Sequence, residues 1–290
     1  MWSSPWRTAQ IWRTYYSSNS IKEKKMNLRR FFALSVIFLA RALPHEWRPV
    51  RGLLRPIVRA ASKYPGSLIV AYRDIKFKVN LHDSLFQQSI AFFPRHIDTG
   101  VVAYLSNKVR DDDVFFDIGS HAGFYAILVA SMKNRNTHTI ALEADPHNVE
   151  KIYRNFSLNN LEHRNLVISG AAGPTGTIEL HINEKNRGSN STIMSTGVPG
   201  KTVIVPSDTI LGWLAASGYE FADIMKLDIE GAELDCLTRY FCDQTEHRLP
   251  RILVVEINCG FANSTSLVNL IEGKGYILSF REGDNYVYER

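Results

Sequence analysis

From Asp113 onward the chain settles into one rhythm, and that rhythm narrows its fold more than any other feature. A short apolar run closes on a polar or acidic residue, a turn follows, and a segment with helical spacing comes next. "DVFFDIGS" leads through glycines to "FYAILVASMKN", and "THTIALEADP" leads to "PHNVEKIYRNFSLNN". In that last segment Val149, Ile152, Tyr153 and Phe156 share one helical face, and Pro146 stands at the favoured first helical position after Asp145. Further strand candidates are "NLVISGA", "TIELHIN", "KTVIVPS", "DIMKLDI" and "RILVVEIN", the last two followed by helices. Strands alternating with helices predict an α/β fold, a doubly wound and mostly parallel sheet with helices on both faces. The tail "GYILSFREGDNYVYER" reads as two strands around a turn at Glu282 to Asn285, an antiparallel C-terminal edge on that sheet.

Ahead of this region, "SLIVAYRDIKFKVNLHD" reads as a hairpin turning at Arg73-Asp74, and "SLFQQSIAFFPRHIDTGVVAYLSNKV" carries helical spacing broken at Pro94. The expected organisation is a basic N-terminal extension over 1–66, partly helical or disordered, an accessory hairpin and helix over 67–108, and the main domain over 109–290. The chain is long enough and apolar enough to bury a full core. Its cysteines, Cys236, Cys242 and Cys259, are odd in number and lack CxxC spacing, which suggests core thiols in a reducing compartment rather than disulfides or a zinc site.

Charge divides the chain unevenly. Residues 1–66 hold 13 Lys and Arg against 2 acidic residues, a balance of +11, while residues 67–290 hold 21 against 27, a balance of −6. A nucleic-acid enzyme usually spreads positive charge around its cleft, because phosphate neutralisation supplies most of the affinity, so a nucleic-acid partner is disfavoured. The opening "MWSSPWRTAQIWRTYYSSNSIKEKK" resembles a transit peptide, and equally sequence ahead of a start at Met26. From Met26 a basic start and an apolar run from Phe31 to Ala40 resemble a short signal peptide. The run is too short to span a bilayer. A basic amphipathic helix that packs on the domain or lies on a membrane surface is the leading expectation.

In an open α/β sheet, ligands sit outside the carboxyl ends of the strands, and five of the expected strands end in polar or acidic residues. The first ends at "DIGSHAG", where Gly119 and Gly123 allow a tight turn and close approach of a ligand. Any strand-to-helix turn uses such a pair, and this one lacks both the third glycine of G-x-G-x-x-G and a P-loop lysine. Twenty-six residues after Asp117 the next strand ends at Glu143. That acid is placed to accept ribose hydroxyls, or else to cap the helix at Pro146. With the glycine turn and the spacing, the cofactor reading prevails. The third cluster is "KLDIEGAE", with Asp228, Glu230 and Glu233. A capped helix N-terminus and an ion pair with Lys226 are the plain explanations. A divalent ion is a further option, and no metal is expected. His121 and Glu256 face the same edge, and Ser189, Asn190, Ser191 and Thr192 form a polar stretch suited to hydroxyl recognition or to a loop.

From about Ser67 to the C-terminus the chain resembles the FkbM-type, S-adenosylmethionine-dependent methyltransferases. The resemblance rests on "VFFDIGSHAGFYA", "ALEADPHNVEKI", "GSNST", "VPSDTIL", "IMKLDIEGAEL" and "LVVEI" in that order. It implies a class I methyltransferase domain, Rossmann-like, over 109–290, with S-adenosylmethionine as cofactor. It implies that Asp117, Gly119, His121 and Gly123 line the methionine side of the cofactor, that Glu143 holds the ribose, and that Asp228 begins the loop beneath the transferable methyl. The first loop departs from the family, with Ser120-His121-Ala122 where Ala-Asn-Ile is common.

The function expected on this basis is O-methylation of a hydroxyl on a sugar, glycan or related metabolite. Asp228, Glu230 and His121 are the candidates to accept the proton. The rivals are an RNA methyltransferase using the basic N-terminus as an arm, a nucleotide-binding oxidoreductase, which the glycine pattern disfavours, and a non-catalytic binding module of the same fold. Because S-adenosylmethionine is kept in the cytosol, a cytoplasmic enzyme is expected, with peripheral membrane contact through the basic N-terminus. Nothing in the residues speaks to oligomeric state.

Overall fold

A computed structural model describes residues 28–42, 48–132, 136–182, 201–258 and 263–290. Helices α1 (Leu28–Ala42) and α2 (Arg48–Ala61) precede a hairpin of β1 (Ser67–Tyr72) and β2 (Ile75–Asn80), then α3 (Leu85–Phe92) and α4 (Thr99–Lys108). The main unit follows as β3 (Val114–Ile118), α5 (Phe124–Ala130), β4 (His138–Glu143), α6 (Pro146–Leu158), β5 (Asn165–Ser169), β6 (Ala171–Ala172), β7 (Gly176–Ile182), β8 (Lys201–Asp208) and α7 (Ile210–Ala216). It closes with β9 (Ile224–Leu227), α8 (Glu233–Asp243), β10 (Ile252–Glu256), α9 (Ser264–Gly273), β11 (Ile277–Glu282) and β12 (Asn285–Glu289).

Seven strands form one sheet in the order β11-β12-β10-β9-β3-β4-β5. β10, β9, β3, β4 and β5 run parallel, and the hairpin of β11 and β12 adds the expected antiparallel edge. Period-two alternation lays a separate core on each face. On one face Phe115, Ala141, Ile224 and Val254 meet α5 and α6, and on the other Phe116, Leu142, Met225 and Leu253 meet α7, α8 and α9. This is the doubly wound α/β arrangement expected from the sequence.

β6, β7 and β8 depart from the simplest reading of the alternation. They leave the main sheet and form a small one of their own, in which β7 and β8 pair antiparallel. β6 joins it by pairing with β8 in parallel, Ala171 opposite Ser207 and Ala172 opposite Asp208.

Local signals act where the sequence places them. The β1–β2 hairpin turns at Arg73, whose φ is 52°. Ser84 caps α3 by accepting from the Gln87 amide, and Asp145 caps α6 by accepting from the His147 amide, with Pro146 at the first turn. α3 stops before Pro94. Of the four residues assigned to the inner face of α6, Val149, Ile152 and Phe156 are buried, while Tyr153 lies at the margin and donates its hydroxyl to the Val167 carbonyl.

The charge break near residue 66 is not a break in packing. Ala33, Val36, Ile37 and Ala40 of α1 belong to the same apolar cluster as β1, β2, α3 and α5. Arg41 fastens the end of α1 by donating to the carbonyls of Ala91, Ala71 and Ile90 at 2.7 to 2.8 Å. Among the described residues, no helix is long and apolar enough to cross a membrane.

Candidate functional site

Strand order reverses between β3 and β9: from β3 the chain proceeds through β4 to β5 on one side, and later returns on the other side as β9 and β10. A crevice opens outside the carboxyl ends at such a point. Here it is a cavity of about 330 Å³, walled by Asp117, Gly119, His121, Glu143, Asp228, Glu230, Glu256 and Phe86 of α3.

Register explains why these acids converge. Asp117 sits opposite Lys226 across the β3–β9 pair, and Lys226 sits opposite Val254 across β9–β10. Asp117, Lys226 and Val254 therefore share a face, and two residues on along each path Asp228 and Glu256 continue it. On β4, Ala141 lies opposite Asp117, and Glu143 comes two residues later on that same face. The helix beneath supplies Tyr125, whose ring lies 5.0 Å from the Lys226 ammonium and whose hydroxyl donates to Asp98 Oδ2 at 2.6 Å.

The glycine turn is built by backbone. The amides of Gly119 and Ser120 both donate to the Leu142 carbonyl, and the Asp228 amide donates to the Ile118 carbonyl at 3.0 Å. Gly119 has φ +81° and faces the Asp228 carbonyl so closely that a Cβ has no room. Gly123, at φ +79°, leads into α5 against Ile127 and Ile152. The Glu143 carboxylate crosses the turn: Oε2 accepts from the His121 amide at 2.7 Å and Oε1 from the Asp145 amide at 2.8 Å. Burial raises its pKa to about 7, against those two hydrogen bonds. With a further hydrogen bond from Asn148, the carboxylate keeps about one of its four lone-pair sites for another donor.

Asp117 is 1 % exposed. Its Oδ2 accepts from the Ala126 amide at 3.2 Å, whereas Oδ1 has no partner among the described residues. Burial raises its pKa and the Lys226 ammonium opposes the rise. Lys226 is itself 2 % exposed and donates to Asp228 Oδ2 at 2.9 Å. Burial pushes Asp228 upward, but Lys226 and hydrogen bonding with Glu256 outweigh it, and the pKa falls. Glu256 moves the other way, to about 9, through burial and its contact with ionised Asp228. The two carboxyls thus hold one proton between them, on Glu256.

Glu230 stands beside this pair in the left-handed region at φ 54°, an uncommon conformation for glutamate. Burial, then the charges of Asp228 and Glu233, raise it to about 7. Glu233 turns back to the loop, its two oxygens accepting from the amides of Ile229 and Gly231, so it fastens the start of α8. His121, also at positive φ, packs edge-on against Phe86. Burial and the nearby Lys151 lower its pKa to about 4, and its Nε2 has no partner among the described residues. A neutral imidazole with so low a pKa is a weak base.

Ligand atoms of Asp228, Glu230 and Glu256 lie within 4.8 Å of one another, close enough to suggest a cation. Lys226 already supplies one, bonded to Asp228 and lowering the pKa of both glutamates. Ser189, Asn190, Ser191 and Thr192 lie outside the described residues. Reading the sequence for sites passes over Tyr125 and Asp98 and treats Lys226 only as an ion-pair partner. The signal for Lys226 was a charge inside the apolar run "DIMKL".

A family model described as the methyltransferase FkbM domain matches residues 117–278. No curated protein matches. Among solved structures, a methyltransferase FkbM from Methylobacillus flagellatus KT aligns at 16 % identity and TM-score 0.45, over 90 % of this chain and 59 % of that one. A precorrin-6y C5,15-methyltransferase from Geobacter metallireducens GS-15 aligns at 15 % identity and TM-score 0.41, over 66 % and 87 % respectively. Aeropyrum pernix fibrillarin, with natively bound S-adenosyl-L-methionine, aligns at 10 % identity and TM-score 0.40, over 77 % and 81 %.

Proposed function

Because this chain belongs to the FkbM methyltransferase family, an S-adenosylmethionine-dependent enzyme family, we propose that it methylates a hydroxyl of a sugar, glycan or related small metabolite. The observation that carries the choice of acceptor is the sign of the cleft. Asp98, Asp117, Glu143, Asp228, Glu230 and Glu256 line it, and among the described residues Lys226 is its one Lys or Arg. Ionised Asp228, with Glu143 and Glu230 titrating near neutrality, attracts a cationic sulfonium and accepts from hydroxyls, and such a lining offers little to the phosphates of a nucleic acid.

The residues fit the cofactor on two counts. Among the described residues the buried Oδ1 of Asp117 lacks a donor, which the methionine ammonium would supply, and the glycine turn leaves open backbone where a side chain would intrude. Glu143 would take a ribose hydroxyl on its remaining lone-pair site. Bound there, the cofactor supplies an electrophilic methyl on a cationic sulfur. The carboxylates of the cleft would hold the acceptor hydroxyl toward that methyl and take up its proton as the methyl is transferred.

Glu230 is the group best suited to take that proton. A base works best with a pKa near the working pH, and Glu230 stands at about 7. Asp228 is held ionised by Lys226, a weaker base whose part is to orient the acceptor and attract the sulfonium. Lys226 fixes that carboxylate, and Glu256 retains the shared proton. Incubation of the purified chain with methyl-labelled cofactor and either a glycan extract or RNA tests the reading. Label in glycan that is lost in Glu230→Gln supports it, and label in RNA alone overturns it.

A further inference from the structure

The outer face of α1 has no covering among the described residues. Leu28, Phe31, Phe32, Phe38 and Leu39 are exposed, Leu28 at 83 % and Phe38 at 76 %. At helical spacing, and with Ser35 and Ala42, they fill the stripe opposite the buried Ala33, Val36, Ile37 and Ala40. Arg29, Arg30 and Arg41 all fall outside it. Single exposed apolar residues are ordinary, but a contiguous set with three phenylalanines marks a contact surface.

We propose that this face docks on an anionic lipid surface. Charge decides among the occupants. Residues 28–66 contain eight Lys and Arg against one acid, Glu46, and Arg29, Arg55, Arg59 and Lys63 are exposed. A second copy would bring that charge against itself. Residues 1–27, with five Lys and Arg against one Glu, would do the same. An apolar stripe without acid on α1, beside a second helix with exposed Arg55 and Arg59, is what an element lying in the headgroup region of an acidic bilayer requires.

The body side of α1 is already anchored, which suits a rigid docking element. Its inner residues are buried in the domain and Arg41 ties it to α3 and β1. α3 also contributes Phe86 to the cavity wall, so a docked α1 fixes how the cleft stands relative to the surface. None of this depends on the identity of the acceptor.

Sedimentation of the full chain with phosphatidylcholine vesicles, with and without phosphatidylserine, tests the proposal. Binding is expected to the mixed vesicles and to weaken with added salt. The double variant Phe31→Ser/Phe38→Ser should bind about tenfold more weakly or worse, since both side chains lose their apolar burial. Arg55→Glu/Arg59→Glu, which leaves the apolar stripe intact, should also bind several-fold more weakly. Thermal melts and cofactor titration, unchanged in both variants, establish that the fold is retained. No binding by the parent chain overturns the proposal. So does equal binding by Phe31→Ser/Phe38→Ser, which would put the contact elsewhere, as in residues 1–27. An oligomer broken by those serines, without lipid binding, would assign the face to a second copy.

Discussion

Gly119 lies against the carbonyl oxygen of Asp228 with no room for a Cβ between them, so the cofactor turn and the acidic loop are one packed unit. Gly119→Ala must therefore distort both. The left-handed backbone alone costs roughly 1 to 3 kcal/mol for a residue with a side chain. The expected outcome is a lowered melting temperature together with loss of cofactor affinity. A variant that melts normally and binds normally would show that the two loops move independently.

Glu143→Ala removes the acceptor for two backbone amides and, on the proposed reading, for the ribose. Cofactor affinity should fall by roughly 1.5 to 3 kcal/mol for one strong hydrogen bond lost, read by calorimetry. The same residue makes the chain alone sensitive to pH. Its folded pKa, about 7 against an ordinary 4.5, means the folded chain binds this proton more tightly than the unfolded chain. Its share of stability is complete below about 4.5 and declines as pH rises through about 7. Glu143→Gln should flatten that decline in thermal melts taken without cofactor.

The proton-accepting role proposed for Glu230 has a kinetic signature. Turnover should rise with pH through about 7 as its carboxyl ionises, and Glu230→Gln should lose that rise along with about 10²-fold or more in rate. Asp228→Asn should lower turnover while keeping the ascending limb. A limb that survives in Glu230→Gln and vanishes in Asp228→Asn would exchange the two assignments.

Lys226→Met leaves Asp117 and Asp228 without their shared cation. Removing one partner of a fully buried pair costs about 3 to 5 kcal/mol, and because Asp228 is 34 % exposed about 2 kcal/mol or more is expected here. The double variant Lys226→Met/Asp228→Asn should recover part of that loss in denaturant titrations. No recovery would mean that Lys226 acts chiefly through Asp117.

The features that could be read from the chain were those whose cause is local. The glycine turn, the acid closing β4, the Asp145 cap and the C-terminal hairpin each carry their signal within a few residues. Lys226 did not, because its meaning depends on register: Asp117, opposite it, lies 109 positions earlier in the chain. The Asp98–Tyr125 contact is hidden because it joins the starts of two helices 27 positions apart. β7 and β8 look like main-sheet strands because alternation does not say which sheet a strand joins. The N-terminal helices were masked by their charge, since arginines on the outside of α2 say nothing about alanines on the inside of α1.

Arg41 binds carbonyls 30, 49 and 50 positions further along the chain. During synthesis, at about 5 to 20 residues per second, α1 leaves the ribosome several seconds before α3 exists to receive it. For that interval its inner face, too, is unpaired. The nascent helix is then apolar on both faces, with Arg29, Arg30 and Arg41 as its only charges, before the chain has a sheet to receive it.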